Sequence, residues 1–188
     1  MYNKEFKGHV CDHSHSIFLD NFFRRIFQNP KKIVGEYIKE RDTIIDLGCG
    51  PGFFSIDMAK MAGEKGKVYS VDLQMEMLNK VKIKADRHHL SNRIHLHQCS
   101  QTEIGLSNDI KADFILAFYM VHEAPDPGRL LSEIKLFLKK GGRFLIVEPV
   151  FHVSKKKFLT ISRQAESLGF TIVGRPAKKG GRSLLLSA

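Results

Sequence analysis

Three closely spaced glycines form the clearest candidate ligand-binding segment of this sequence. The segment Asp46–Gly52 reads Asp-Leu-Gly-Cys-Gly-Pro-Gly. Its first two residues end the strand-like run Thr43–Leu47, and a helical pattern begins at Phe53. Glycines at such a strand-to-helix turn let the backbone bend sharply and let a ligand approach the main chain. The free N–H groups at the start of the next helix favour a negatively charged group on that ligand.

An acidic residue, Asp72, follows the next strand-like run, Lys67–Val71. The carboxyl ends of neighbouring parallel strands open on one crevice, so Asp72 can accept hydrogen bonds from two ribose hydroxyls. A dinucleotide would use the same two features, but its fingerprint has a small residue three positions after the second glycine, where this chain has Phe53. The pattern therefore favours a nucleoside that carries an amino-acid tail.

Strand-like runs alternate with helix-length amphipathic segments over most of the chain. The first five predicted strands are Thr43–Leu47, Lys67–Val71, Arg93–His97, Ala112–Phe118 and Arg143–Val147. The predicted helices are Pro30 to about Lys39, Phe53–Ala62, Gln74–Arg87, Pro127–Leu138 and Ser154–Leu168. This alternation predicts a parallel sheet with helices on both faces. The last two predicted strands, Phe170–Gly174 and Ser183–Leu186, are too close for a crossover helix and should form an antiparallel hairpin.

The chain is predicted to be one domain over residues 1–188, with a helical extension at 1–40 and a ligand-binding core at 41–188. Within the extension, Phe18, Phe22 and Ile26 follow helical spacing. The segment Phe18–Phe27 could close over the ligand as a lid. Two alternatives remain open: its side chains pack on the sheet, or it lies on a membrane surface.

The ordered segments resemble class I S-adenosylmethionine-dependent methyltransferases, in particular their small-molecule, type 11-like branch. The residues that carry the resemblance are Thr43–Phe54, Asp72, Asp113–His122 and Leu138–Pro149. The resemblance implies an α/β, Rossmann-like, doubly wound sheet of seven strands, in the order 3-2-1-4-5-7-6, with an antiparallel last hairpin. It also implies S-adenosyl-L-methionine as the cofactor.

The resemblance further implies which residues bind that cofactor. Those expected to hold its methionine end lie in the glycine loop: Asp46, Gly48, Cys49, Gly50 and Gly52. Asp72 would bind the ribose hydroxyls, and Leu73 would flank the adenine. Ser100 and Gln101 occupy the place where the family usually has an acidic residue near the adenine amino group, and they would hydrogen-bond the adenine instead. Ala117 and Phe118 would line the floor beneath the sulfonium.

Polar side chains that could handle a proton follow the fourth and fifth predicted strands. They are Tyr119, His122, Glu123, Glu148 and His152. A base is needed only if the methyl acceptor loses a proton around the transfer step. We name His122, Tyr119 and His152 as the candidate catalytic residues; the alternative for each is that it caps a helix or satisfies loop backbone.

Charge, candidate metal ligands, apolar runs and cysteines limit which partners and which cellular location the sequence predicts. The net charge of +10 is dispersed along the chain, so it is compatible with a nucleic acid partner without favouring one. The N-terminal His9, Cys11, Asp12, His13 and His15 lie in one tract, whereas a metal site draws ligands from more than one element, so no metal is predicted. No apolar run is long enough to span a bilayer, and three scattered cysteines favour the cytoplasm.

Three functions remain in contention. The leading hypothesis is methyl transfer to a small-molecule acceptor. An RNA or protein methyltransferase is the alternative that the basic charge suggests, although Ala117–Met120 lacks the Asn/Asp-Pro-Pro-aromatic tetrapeptide that acts on exocyclic amines of bases. A non-catalytic module that binds S-adenosylmethionine is the third.

Overall fold

The computed structural model describes residues 29–178 and 180–188. The predicted lid Phe18–Phe27 and the N-terminal His/Cys tract lie outside these residues. Helix α1 spans Pro30–Val34 and is capped by the Asn29 side chain, which accepts from the Lys32 N–H. It continues as a 3-10 turn over Gly35–Tyr37, so the helix predicted to about Lys39 is shorter than expected. Gly35 accounts for this, because glycine weakens an α-helix in its interior.

Strands and helices alternate from Thr43 onward. The strands are β1 Thr43–Leu47, β2 Lys67–Asp72, β3 Ile94–Gln98, β4 Ala112–Phe118, β5 Leu138–Pro149, β6 Thr171–Gly174 and β7 Gly181–Ser187. The helices that follow α1 are α2 Ser55–Met61, α3 Met75–Arg87, α4 Pro127–Phe137 and α5 Lys155–Ser167, with a 3-10 turn at Val121–Glu123.

The strands form one seven-stranded sheet in the order β3-β2-β1-β4-β5-β7-β6. Strands β1 to β5 are mutually parallel, and β7 runs antiparallel to both β5 and β6. The predicted fold class, strand order and antiparallel hairpin are therefore confirmed. The order reverses between β1 and β4, and in open α/β sheets ligands bind in the crevice at this reversal.

Alternate residues of the central strands fill two apolar layers, one on each face of the sheet. On β1, Ile44 belongs to the layer that contains α1, α2 and α3, whereas Ile45 belongs to the layer that contains α4 and α5. Phe114 and Ile115 of β4 divide in the same way. Burial of each such side chain stabilises the fold by about 1.5–3 kcal/mol, so the central strands give the crevice a rigid base.

Three elements begin two or more residues from the predicted positions: α2, β5 and β7, the last at Gly181 instead of Ser183. Helix α2 begins at Ser55 instead of Phe53, because the chain continues in turns through Phe54 while both phenylalanines pack into the core. Strand β5 begins at Leu138, five residues earlier than predicted, and Gly141 takes a positive φ of 79° within it. The pairing register between β4 and β5 shifts there, between Ala112 and Phe114. In the described part of the chain, no helix is long and apolar enough to cross a membrane.

Candidate functional site

The glycine loop between β1 and α2 has a backbone that requires glycine. Gly48 and Gly50 have φ angles of 64° and 52°, in the left-handed region that disfavours other residues. A Cβ added at Gly48 would lie 2.8 Å from the Cβ of Met120, so the loop packs closely against the segment after β4. A Cβ added at Gly50 would meet no atom of the described residues within 4 Å. The loop is thus closed at Gly48 and open at Gly50, which suits a ligand lying against the main chain at Gly50.

Asp72, the last residue of β2, is bound to the loop by its side chain. Its Oδ2 accepts from the Gly50 N–H over 2.8 Å, and its Oδ1 accepts from the Gln74 N–H over 2.9 Å. Each carboxylate oxygen has a further lone pair, so both remain able to accept from ribose hydroxyls. Burial raises the pKa of Asp72, and the hydrogen bonds from Gln74, Gly50 and Leu73 partly oppose this. The structure therefore brings together the loop and the acidic residue that the sequence paired.

Asp46 and Cys49 lie beneath the loop surface. The Asp46 carboxylate is buried and accepts from the Ser55 hydroxyl over 2.6 Å, which ties the end of β1 to the first residue of α2. The Cys49 N–H donates to the Val71 carbonyl over 3.0 Å, which ties the loop to β2. Burial raises the pKa of the Cys49 thiol well above its usual range. Both residues thus position the loop, through contacts that the sequence did not reveal.

The expected adenine side is formed by the ends of β2 and β3. The Cys99 N–H donates to the Asp72 carbonyl over 3.0 Å, which places the segment after β3 beside Leu73. Ser100 and Gln101 are both exposed there. The Ser100 hydroxyl accepts from the Glu103 N–H over 3.0 Å, so this side chain also shapes its own turn.

The end of β4 lies beside the end of β1, which leads into the glycine loop. Ala117 and Phe118 are buried, and the Phe118 ring packs between the rings of Phe54 and Tyr119, at centroid distances of 4.6 and 4.2 Å. Tyr119 has a φ of 62°, which is uncommon for an aromatic residue, and its hydroxyl donates to the Gly180 carbonyl over 3.3 Å. Such backbone strain is typical of functional sites.

His122, in the 3-10 turn after β4, contacts a buried carboxylate. Its Nδ1 contacts Oε2 of Glu148, whose side chain is completely buried near the end of β5. The His122 side chain is 17% exposed, and its Nε2 lies 4.0 Å from Oε1 of Glu123. The His152 ring lies nearly parallel to that of His122, with the ring centroids 6.4 Å apart. The structure thus groups His122 and His152 with both glutamates.

The contact between His122 and Glu148 was not predicted from the sequence, although both residues were noted. The signal that could have found it is strand register: Phe118 pairs with Val147, so the residues just after β4 lie beside the end of β5. Tyr119 was grouped with the histidines, and its hydroxyl is bound instead to the turn before β7.

Comparison with known proteins agrees with this geometry. A family model described as a methyltransferase domain matches residues 38–174. A crystal structure of a SAM-dependent methyltransferase from Aquifex aeolicus superposes with a TM-score of 0.83 at 27% identity, covering 94% of this chain and 98% of that one.

Two curated relatives match over part of their length. The ubiquinone biosynthesis O-methyltransferase of Coxiella burnetii is 26% identical over 151 residues, which are 78% of this chain and 56% of that protein. The ubiquinone/menaquinone biosynthesis C-methyltransferase UbiE of Vibrio vulnificus is 29% identical over 118 residues, which are 61% of this chain and 45% of that protein. The chain spans about half the length of these relatives.

The family model covers well over half of the chain, and the sheet has the strand order that the sequence motifs imply. The chain therefore belongs to the methyltransferase-domain family, in the class I group of S-adenosylmethionine-dependent methyltransferases.

Proposed function

We propose that the chain transfers a methyl group from S-adenosylmethionine to a small-molecule acceptor. The observation that carries this proposal is the Asp72 carboxylate, which is bound to the Gly50 N–H at a glycine loop that is open to a ligand. Family membership supports the same ligand. When bound, S-adenosylmethionine supplies a methyl group on a positively charged sulfur.

The residues that we propose for cofactor binding fall into three groups. The loop backbone at Gly48, Cys49, Gly50 and Gly52 receives the methionine end, and Asp46 holds the loop from below through Ser55. Asp72 accepts from the ribose hydroxyls. The adenine lies between Leu73 and the segment Ser100–Gln101, and Ala117 and Phe118 line the floor beneath the sulfonium.

The acceptor side is proposed to lie at the ends of β4 and β5, where the rings of His122 and His152 lie side by side and Tyr119 directly follows β4. His122 is the residue best placed to take a proton, because a buried carboxylate contacts one of its ring nitrogens. Both curated relatives are named for quinone biosynthesis, which supports a small organic acceptor over a nucleic acid.

We also propose the domain arrangement and location that the sequence predicts. Residues 41–188 form the cofactor-binding core, and residues 1–40 precede it as an extension. A cytoplasmic location is proposed, in keeping with free thiols at Cys49 and Cys99.

Calorimetric titration with S-adenosylmethionine and S-adenosylhomocysteine tests the cofactor directly. We expect saturable binding of both at one site per chain. The same protein is then incubated with methyl-labelled cofactor and a panel of small metabolites, with RNA as a separate arm. No binding of either compound would refute the proposal, binding without turnover on any acceptor would favour a non-catalytic module, and transfer to RNA alone would favour the nucleic acid alternative.

A further inference from the structure

The Glu148 carboxylate is enclosed in the protein without the hydrogen bonds that such a group normally has. Its side chain is 0% exposed, Oε2 contacts Nδ1 of His122, and Oε1 has no hydrogen-bond partner among the described residues. A buried carboxylate needs a partner, because removing a charge from water is expensive. Here the one contact that a described side chain makes with it is the His122 ring, so the carboxylate and the imidazole act as a unit.

This contact decides which nitrogen of His122 is free. A carboxylate only accepts hydrogen bonds, so when Glu148 is ionised the proton between the two groups lies on Nδ1 of His122. In the neutral ring, the lone pair then lies on Nε2. Nε2 has no hydrogen bond to any residue of 29–178 or 180–188: its nearest carboxylate oxygen, on Glu123, is 4.0 Å away. A neutral His122 therefore presents a proton-accepting nitrogen that the described part of the chain leaves unused.

The surroundings of His122 are rich in negative charge. Glu123 and Glu148 flank its two ring nitrogens. Burial raises the pKa of Glu123, His122 opposes this shift, and the charges of Glu148 and Asp72 raise the pKa further. On the other side, the Lys157 ammonium donates to the backbone carbonyl of His122 over 3.3 Å. An acceptor that arrives already ionised as an anion would be repelled by this set of carboxylates.

From these contacts we infer that Glu148 positions His122 as the base for an acceptor that arrives as a neutral hydroxyl compound. This inference rests on the proposed methyltransferase function. His122 Nε2 takes the hydroxyl proton while the acceptor oxygen bonds to the methyl carbon and the carbon–sulfur bond breaks. The products are a methyl ether, a neutral thioether and an imidazolium, and the proton passes later to water. The positive charge thus moves from sulfur to a ring that already contacts the Glu148 carboxylate.

The positioning role has a readout that needs no acceptor. In protein labelled with 15N-histidine, long-range proton–nitrogen correlation spectra at about pH 9, where histidine side chains are neutral, show which ring nitrogen carries the proton. The His122 signal is assigned by its disappearance in His122→Asn. We expect the proton on Nδ1 in the wild type, and loss of that preference in Glu148→Ala. A proton on Nε2 in the wild type would overturn the inference.

The catalytic role is tested with two near-isosteric variants. His122→Asn keeps an N–H towards Glu148 but lacks the Nε2 lone pair, and Glu148→Gln keeps the shape but loses the charge. We expect kcat to fall about 100-fold or more in the first and about tenfold or more in the second, with the KM for the cofactor unchanged. The exposed residues His88 and Glu166 supply the matched controls His88→Asn and Glu166→Gln, which should retain wild-type kcat. Wild-type kcat in His122→Asn would overturn the role.

The acceptor class is tested with catechol and substituted phenols beside anilines of the same shape, with labelled S-adenosylmethionine as donor. We expect methyl ethers from the hydroxyl compounds. We also expect the rate to fall as the pH is lowered in the wild type, but not in His122→Asn. Methylation of the anilines alone, or of neither series, would overturn the hydroxyl assignment. Calorimetric binding of the cofactor separates the two proposals: if binding is absent, the proposed function itself has failed.

Discussion

The Gly50 N–H donates to the Asp72 carboxylate over 2.8 Å, and this bond joins the glycine loop to the end of β2. The two residues are 22 positions apart in the chain, yet they act as one element of the crevice. The same bond fixes the loop and orients the carboxylate. Binding of the cofactor and order in the loop should therefore be coupled.

Asp72→Ala should abolish cofactor binding. Loss of two hydrogen bonds to a charged acceptor, each worth about 1.5–3 kcal/mol, should weaken binding about 100-fold or more in calorimetric titration. Asp109→Asn, at an exposed site, is the matched surface control and should bind normally. Circular dichroism should show that Asp72→Ala remains folded, and unchanged affinity in this variant would refute the placement of the ribose.

Alanine substitutions at Gly48 and Gly50 should affect the stability of the fold and the affinity for the cofactor to different degrees. Both force a side chain into a positive φ, which costs about 1–2 kcal/mol. Gly48→Ala also brings a methyl group against the Cβ of Met120, which adds about 1–3 kcal/mol of overpacking. Gly50→Ala adds no such contact, but its methyl group enters the open space above the loop.

Urea unfolding should therefore show a larger loss of stability in Gly48→Ala, whereas calorimetry should show the larger loss of cofactor affinity, at least tenfold, in folded Gly50→Ala. Equal affinity in Gly50→Ala and the wild type would mean that the ligand does not lie against this part of the loop.

Glu123→Gln should stabilise the protein at neutral pH. The pKa of Glu123 is raised, first by burial and then by the charges of Glu148 and Asp72, while His122 opposes the shift. A carboxyl whose pKa is higher in the folded state binds its proton more strongly there than in the unfolded state. The free energy of unfolding therefore decreases as the pH rises from the ordinary pKa of 4.5 through the raised pKa of the folded state. Glutamine cannot ionise, so the Glu123→Gln variant does not lose this part of the free energy of unfolding.

Thermal unfolding at about pH 4 and about pH 8 checks the sign, because the variant should gain in Tm only at the higher pH. Glu166→Gln, on the exposed side of α5, should show no comparable gain. A Tm advantage for Glu123→Gln that is largest at the lower pH would contradict the assignment.

The thiols of Cys49 and Cys99 should react slowly in the folded protein. Burial raises the pKa of Cys99 to about 11 and that of Cys49 well above its usual range. Because the thiolate is the reactive form, Cys99 should react with iodoacetamide at about pH 7.5 roughly 100-fold more slowly than a thiol of ordinary pKa. Mass spectrometry of a Cys11→Ser variant should show slow labelling before unfolding and fast labelling in urea. Fast labelling of either cysteine in the native protein would show that it is accessible.

The sequence predicted the strands best where apolar runs end at a turn. Strands β1 and β4 have the predicted bounds, because both are mostly apolar runs in the middle of the sheet. The early start of β5 at Leu138 was missed because Lys139, Lys140 and two glycines interrupt its apolar pattern. Helix α2 starts late because Phe53 and Phe54 pack into the core as turn residues, which periodicity does not distinguish from a helix.

The site was predictable where it depends on the order of the strands, and less so where it depends on the packing of individual side chains. The pairing of the glycine loop with Asp72 follows from consecutive strands in a parallel sheet. By contrast, the contact between His122 and Glu148 depends on the side-chain packing of residues 26 positions apart. Hydrophobic patterning carries no information on that packing.

Strand β7 has a consequence for how the chain matures on the ribosome. It is the last of the seven strands to be synthesised, yet it lies between β5 and β6 and pairs with residues 143–149, including Glu148 opposite Arg182. Until Gly181–Ser187 leave the ribosome, one edge of β5 is exposed, although β5 is an interior strand of the finished sheet. Such an edge is a template for aggregation and a natural site for a chaperone.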